Sequence, residues 1–422
     1  MENIKQMVVG LLNRAVRSYI VRNHIKVIAV AGSIGKTSTT SAIRTVLSQK
    51  YRVHIPRTTY NTNRSVHLEL LDLPFATSTA GWVNMVAQVL MRSLGRAPYE
   101  VVVIEIGTDH PGELQTFAWL KPDIGVLTAI APEHMEHFGT IEAVAAEELT
   151  VAGFSDVLVC NANVVARRLV PDETATRAIW YGDGQSFAAG HYSLEANMGT
   201  ADFRVDAEQL SGVRLQVLGV HSLDALTAAA AVGHLSGLDG EAIRQGLQSV
   251  QPVKGRMQRL KGVEETIIID DSYNASPEAC KAALDVLGQL QAPRRIAVLG
   301  MMNEMGDYSK EAHHEVGSHC DPRLIDLIVT IGTDANTYLA QAALARGCEV
   351  KSFDGPYEAG AFVRERLTRG AAILFKGSQN GVFAEEAIKA VLADPADCTK
   401  LPRQSAYWME KKRQQFGPSP AL

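Results

Sequence analysis

Lys26-Val27-Ile28-Ala29-Val30-Ala31-Gly32-Ser33-Ile34-Gly35-Lys36-Thr37-Ser38-Thr39-Thr40 reads as a strand, a loop and the start of a helix. The apolar run Val27–Ala31 stops at Gly32, and a helix-compatible segment, Ser38 to Leu47, follows Gly35. Two glycines let backbone N–H groups turn inward on an anion. Lys36 is then placed to reach the β- and γ-phosphates of a nucleotide, and the Thr37 hydroxyl to ligate Mg²⁺. The full phosphate-loop pattern wants a glycine at position 30, where Val30 stands. The short form Gly-x-x-Gly-Lys-Thr carries the signal together with its place after a buried-type strand. The plain alternative is an ordinary strand-to-helix turn with a solvent-facing lysine. Gly32, Gly35, Lys36 and Thr37 all falling in register weigh against it. The nucleotide-holding set on this stretch is Gly32, Ser33, Gly35, Lys36, Thr37 and Ser38.

Val101–Ile106 and Ile124–Ile130 are further β-branched runs flanked by turns, and Thr40–Leu47 and Ile141–Leu149 carry helical patterns. That alternation predicts a parallel sheet covered on both faces. Ligands in such sheets bind beyond the carboxyl ends of the strands. Glu105 closes the second run, and an acidic residue beside a phosphate loop is the usual second anchor for Mg²⁺. The third run leads into Ala131-Pro132-Glu133-His134-Met135-Glu136-His137-Phe138-Gly139-Thr140, which puts His134 and nearby carboxylates at a strand end. A lone loop histidine is ordinarily a surface residue; two strand ends aimed at one crevice shift that balance.

With 422 residues the chain is too long for one core, so two or three domains are expected. A net charge of −5 gives no bulk attraction to nucleic acid, and no nucleic-acid partner is expected. The five cysteines are widely spread without a Cys-x-x-Cys pair, which argues against a disulfide framework or a zinc site and suits a reducing cytoplasm. No run reaches the ~18 apolar residues needed to span a bilayer. Asn13, Arg14, Arg17 and Arg22 interrupt the start of the chain, so it is not a signal peptide. It reads instead as an amphipathic helix with Ile4, Val8, Leu11, Leu12, Ala15 and Tyr19 on one face. Either that face packs on the domain it precedes, or residues 1–22 contact a membrane surface or a partner.

Residues 151–252 say less. Val157–Cys160 reads as a strand, Phe203–Val220 as antiparallel strands, and Leu223–Leu235 and Glu241–Val250 as helices. Pro252-Val253-Lys254-Gly255-Arg256 looks like a domain junction. A new series follows: strands at Thr266–Asp270, Arg295–Leu299, Ile325–Ile331 and Ala371–Phe375, with a helix at Glu278–Leu290. The expected fold is α/β throughout. A phosphate-loop domain with a parallel sheet precedes a Rossmann-like, doubly wound domain without a phosphate loop of its own. The expected layout is an N-terminal helix over residues 1–24, a central nucleotide-binding domain over 25–252, a C-terminal domain over 253–400 and a loose polar tail over 401–422.

These motifs together resemble the Mur ligase family of ATP-dependent amide-bond-forming enzymes, over residues 25–395. The signatures are Gly32–Thr37, Glu105-Ile106-Gly107, His134-Met135-Glu136-His137-Phe138-Gly139, Gly255-Arg256, Asp270-Asp271-Ser272-Tyr273-Asn274-Ala275-Ser276-Pro277, Glu304-Met305-Gly306 and Lys376-Gly377-Ser378. The resemblance implies that ATP phosphorylates a substrate carboxylate, that an amine attacks the acyl phosphate, and that phosphate leaves. The substrates are then small molecules: a cell-wall precursor and an amino acid or a dipeptide such as D-alanyl-D-alanine. By resemblance Lys36 holds the phosphates, Thr37 and Glu105 hold one Mg²⁺, and His134 helps to hold a second. Asn61, in Asn61-Thr62-Asn63-Arg64-Ser65, contacts the ATP and substrate region. Arg256 and Asp271 reach the nucleotide from the C-terminal domain. Tyr273, Asn274, Glu304, Lys376 and Ser378 shape the amine pocket, and domain closure brings the halves together.

Three departures stand out. The family's carbamylated lysine, counted from Phe138-Gly139-Thr140, falls on Glu148, with Glu147 beside it; the expectation is that Glu148 supplies a carboxylate directly, on a shorter arm, as a Mg²⁺ ligand, the plain alternative being a solvent-facing helix glutamate. The family's adenine-contacting stretch reads Val220-His221-Ser222-Leu223-Asp224, and Met301 replaces an aspartate. The family normally begins with a UDP-sugar-binding domain, and the residues before the phosphate-loop strand are too few to fold one. Two other readings stay open. One is a ligase of the same fold using ammonia from a glutaminase partner or extending a poly-glutamate chain. The other is a nucleotide-binding relic without the ligase step.

Overall fold

The computed structural model describes residues 2–55, 66–74, 79–132, 135–303 and 305–418. They form two compact units: Met1–Tyr192 with Thr200–Leu215 and Ser222–Val250, and Ser193–Gly199 with Gln216–His221 and Gln251–Leu422.

In the first unit, runs of Val, Ile and Ala without polar alternation become strands buried on both faces. They are β1 (Lys26–Ala31), β3 (Val101–Glu105), β4 (Ile124–Leu127) and β5 (Val157–Asn161), and β2 (Val53–His54) flanks them. β6 (Ile179–Tyr181), β7 (Phe187–Glu195), β8 (Met198–Val205) and β9 (Glu208–Leu215) extend the sheet to nine strands, in the order β2-β3-β1-β4-β5-β6-β7-β8-β9. β1 pairs in parallel with β3 on one side and β4 on the other. Beyond β6 the chemistry changes. β8 alternates buried with more exposed residues, and the two-residue links between these strands hold positive φ at Ala196, Asn197 and Asp206, so β7, β8 and β9 are antiparallel hairpins. The sequence reading placed these strands over Phe203–Val220 and missed β7.

Two helices fix the sheet's faces. α1 (Glu2–Arg22) buries Leu12, Val16, Tyr19 and Ile20 in the first unit's core. The spacing i, i+4, i+7, i+8 is the expected stripe, but Leu11, assigned to it from sequence, is exposed. α2 (Lys36–Leu47) buries Ala42, Ile43, Val46 and Leu47 and packs on helix Leu223–Leu235. Each such aliphatic side chain larger than alanine contributes about 1.5–3 kcal/mol on burial.

The second unit holds β10 (Gln258–Lys261), β11 (Ile267–Asp271), β12 (Arg295–Gly300), β13 (Leu327–Ile331), β14 (Val350–Phe353) and β15 (Ala372–Lys376), in the order β10-β11-β15-β12-β13-β14. Only the β10–β11 pair is antiparallel. Apolar clusters cover both faces of this sheet, so it is doubly wound. The insertion of β15 between β11 and β12 brings three carboxyl ends side by side, the position where such sheets bind ligands.

Over its described residues, 401–418, the tail is not loose. Residues Ala406–Phe416 form a helix whose Lys412 is fully buried. Its ammonium meets Glu385 Oε1 at 2.9 Å and Glu386 Oε1 at 2.8 Å, and donates to Arg403 O at 2.9 Å. Phe416 and Trp408 pack edge-on against Phe383. A polar sequence docks here because its charges meet buried partners, which composition does not reveal.

Candidate active site

The phosphate loop turns at Gly32, with φ +125°, and at Gly35, whose φ of +87° makes it the residue before α2. A Cβ on Gly32 would lie 2.3 Å from Thr128 Oγ1 and 2.8 Å from Ala129 N, so only glycine fits. The loop leans on the end of β4. Ser33 N donates to Ala129 O at 3.0 Å, Ala131 N donates to Ser33 Oγ at 3.0 Å, and Thr128 Oγ1 donates to Ile34 O at 2.7 Å. Asn161 at the end of β5 holds Thr128 O in turn, at 3.0 Å. This bracing is why β4 ends at Leu127 rather than running to Ile130: Thr128 and Ala129 commit their polar groups to the loop. No side chain caps α2 and no acidic residue stands in its first turn, so the positive end of its dipole is not neutralised from within the helix and suits an anion. Thr37 and Ser38 lie in that turn. The Lys36 ammonium folds back over the loop onto Gly32 O.

Glu105 is buried at the end of β3, in register with Val30 two residues before Gly32. The structure separates the two adjacent glutamates. Glu147 accepts from Gly112 N and Leu114 N, both at 2.7 Å, and from Thr108 Oγ1 at 3.2 Å, so it fixes the loop after β3. Glu148 is 1% exposed on the same helix, Ile141–Glu148. Among the described residues no group of three His, Cys, Asp or Glu side chains is poised for a metal. The oxygens of Thr37, Glu105 and Glu148 are nonetheless hard donors of the kind Mg²⁺ takes. Asn61, His134 and Glu304 lie outside the described residues. Asp224, in the altered adenine stretch, accepts from Asn163 Nδ2 at 2.7 Å and so braces the first unit.

In the second unit Asp271 and Lys376 are register partners across β11 and β15 and form a buried ion pair. Lys376 Nζ also donates to Asn274 O at 3.1 Å, and Asp271 Oδ1 accepts from Met257 N at 3.0 Å. Tyr273 sits 4.6 Å below the Arg256 guanidinium. Ser378 is fully buried; its hydroxyl accepts from Asn303 N at 2.9 Å and donates to Ala275 O at 3.4 Å. It holds two strand-end loops together rather than lining a pocket. The structure thus gathers Arg256, Asp271, Tyr273, Asn274 and Lys376 at one sheet edge, with Ser378 behind them. Burial raises the Asp270 carboxyl to about 7, against the pull of its Ser272 hydrogen bonds.

Two residues escaped the sequence reading. Thr128 carried a usable signal, since it is the polar residue near the carboxyl end of the predicted Ile124–Ile130 run. Arg403 carried none. It lies in the polar tail, yet it donates to Ser272 O at 2.6 Å and Tyr273 O at 2.8 Å and pairs with buried Glu385 at 2.7 Å.

Two family models match the chain: Mur ligase middle domain over residues 30–233, and Mur ligase, glutamate ligase domain, over residues 255–379. The UDP-N-acetylmuramoyl-tripeptide–D-alanyl-D-alanine ligase of Synechocystis sp. is 31% identical over 380 residues, covering 88% of this chain and 75% of that protein. The chain belongs to the Mur ligase family. The Bacillus subtilis ligase of the same name is 27% identical, covering 91% of this Mur ligase and 79% of its own length. MurF from Acinetobacter baumannii superposes with a TM-score of 0.73 at 25% identity, over 92% of this chain and 80% of that one. MurF from Thermotoga maritima, solved in complex with ADP, shares the fold with a TM-score of 0.69 at 21% identity, over 90% and 83% of the two chains. The α/β architecture expected from the sequence, and the ATP-dependent acid–amino-acid ligase class, agree with these findings.

Proposed function

We propose that this Mur ligase joins D-alanyl-D-alanine to the free carboxylate of a UDP-MurNAc-tripeptide at the expense of ATP. The supporting observation is the likeness to ligases of that name. The matched domains include both the phosphate loop and the strand ends that carry Asp271 and Lys376. When bound, ATP with Mg²⁺ supplies the phosphoryl group that turns the carboxylate into an acyl phosphate with a good leaving group. The amides of the Gly32–Gly35 loop and Lys36 hold the phosphates and neutralise charge as it moves toward the leaving oxygen. Thr37 and Glu105 offer oxygens to one Mg²⁺. Glu148, with His134, serves the second metal position. Asn61 contributes to the ATP and substrate region. In the second unit Arg256 and Asp271 serve the nucleotide. Tyr273, Asn274, Glu304 and Lys376 receive the amine, their loops fixed by Ser378. The reaction belongs in a reducing cytoplasm, in keeping with five free cysteines, four of them buried.

The test is mass spectrometry of products from purified protein, ATP, Mg²⁺, UDP-MurNAc-tripeptide and D-alanyl-D-alanine. The expected product is the pentapeptide conjugate, with ADP release that needs both substrates. Product from glutamate or ammonia but not from the dipeptide would overturn the amine assignment. ATP binding without turnover of any pair would overturn the ligase reading.

A further inference from the structure

Two helices of the first unit form a surface that the ligase reading does not use. Helix α1 and the helix Thr79–Arg92 pack together, and their carboxyl ends are tied. Arg22 donates to Ser93 O, Asn23 Nδ2 donates to Gly95 O at 3.3 Å, and Ala97 N donates to Asn23 Oδ1 at 2.9 Å. On the outer side, Val83, Ala87, Met91 and Leu94 are all exposed at i, i+4, i+8 and i+11, which is a single stripe. Val83 is 71% exposed, Met91 64% and Leu94 76%; on α1, Met7 is 70% exposed and Leu11 lies one turn on. Seven of the seventeen exposed large hydrophobic side chains among the described residues fall on these two short segments. Such clustering marks a contact surface, where scattered residues would not.

Charge identifies the partner. Residues 2–24 and 79–98 carry six basic side chains (Lys5, Arg14, Arg17, Arg22, Arg92 and Arg96) against one acidic, Glu2, in a chain whose net charge is −5; Arg17, Arg22 and Arg92 donate to the carbonyls of Leu120, Ser93 and Leu71, and Arg14 and Arg96 are exposed. A second copy would have to set this basic face against itself, because a two-fold contact is self-complementary. An anionic bilayer meets both the apolar stripes and the arginines. Among the described residues no helix is long and apolar enough to cross a membrane, so the pair lies in the interfacial plane, with Trp82 at headgroup level. We propose that the face shared by α1 and the helix Thr79–Arg92 docks this ligase on an anionic lipid surface.

Co-sedimentation of the full chain with vesicles tests this. Binding is expected to phosphatidylglycerol/phosphatidylcholine vesicles, not to phosphatidylcholine alone, and is expected to fall at about 0.5 M NaCl. Val83→Glu with Leu94→Glu is expected to lower partition at least ~10-fold while turnover in solution is unchanged. Each exposed arginine contributes roughly fivefold, so Arg14→Gln with Arg96→Gln lowers partition by roughly 25-fold. Absence of binding to anionic vesicles, or equal binding by parent and variants, would overturn the proposal. So would sedimentation velocity showing that the doubly substituted Val83→Glu, Leu94→Glu protein splits a dimer instead.

Discussion

Replacing Lys412 by methionine keeps its volume and removes its charge from a fully buried site. The ammonium makes three contacts, at 2.8–2.9 Å, to Glu385, Glu386 and Arg403 O. Neither glutamate is left alone, because Arg403 still holds Glu385 at 2.7 Å and Lys389 still holds Glu386 at 2.8 Å. The loss therefore falls at the low end of the usual range for breaking a buried pair, about 3 kcal/mol. Urea unfolding followed by far-UV circular dichroism measures it. Adding Glu386→Gln to Lys412→Met removes one under-compensated charge and is expected to restore about 1 kcal/mol. The pH profile follows the same logic. Burial alone would raise the Glu386 carboxyl, but Lys412 and Lys389 more than reverse it, so it titrates below the ordinary carboxylate value. Its contribution is present above the unfolded-state value and is lost as pH falls through the depressed one, a decline that Lys412→Met flattens. There is also a functional readout. Arg403 grips the carbonyls of Ser272 and Tyr273, beside both the dipeptide residues and the nucleotide residues proposed for this unit, so loosening the cluster raises KM for the dipeptide and for ATP. A loss below about 1 kcal/mol, with both KM values intact, would refute the reasoning.

Three further outcomes are expected. Gly32→Ala places a Cβ against Thr128 Oγ1 and the Ala129 backbone at positive φ; with strain of about 2 kcal/mol, ATP binding measured by calorimetry weakens at least ~10-fold. Glu148→Gln lowers kcat/KM by about 10–100-fold, and a Mg²⁺ titration of turnover shifts to higher concentration; parent-like values in both measurements would remove Glu148 from the metal site. Asp270, raised to about 7 by burial, stabilises at low pH and loses that contribution as pH rises through its folded value; parent stability falls by about 2.5 kcal/mol relative to Asp270→Asn between about pH 5 and 8 in urea melts, and parallel profiles would contradict this.

Strands buried on both faces were legible because burial on both sides demands unbroken apolar runs. β1, β3 and β5 appear within a residue or so of where the sequence puts them. Edge elements were not. β2 is two residues long, and β10 and β14 mix charged and apolar residues, so periodicity had nothing to detect. The end of β4 failed for a different reason. Its run stays apolar to Ile130, but Thr128 and Ala129 serve the phosphate loop, and a tertiary hydrogen bond overrides a local propensity.

The candidate site divides along the same line. Residues that act through local backbone geometry, Gly32, Gly35, Lys36 and Thr37, were readable because their spacing is the mechanism. Residues that act through long-range pairing were readable only in part. Lys376 and Asp271 stand at strand ends and so could be suspected, yet their pairing depends on β15 entering between β11 and β12, a topological fact with no local trace. Arg403 and Lys412 sit in a stretch whose composition says solvent. Their burial is intelligible only once Glu385 and Glu386 are known to lie beneath them. A charged tail over a buried carboxylate pair acts as a clamp: it satisfies two acids that the core could not otherwise hold. Through Arg403 it also sets the Ser272–Tyr273 turn. The Ser272–Tyr273 turn is therefore held from behind by the segment that composition marks as dispensable, and removing residues 401–418 should disable the second unit rather than trim it.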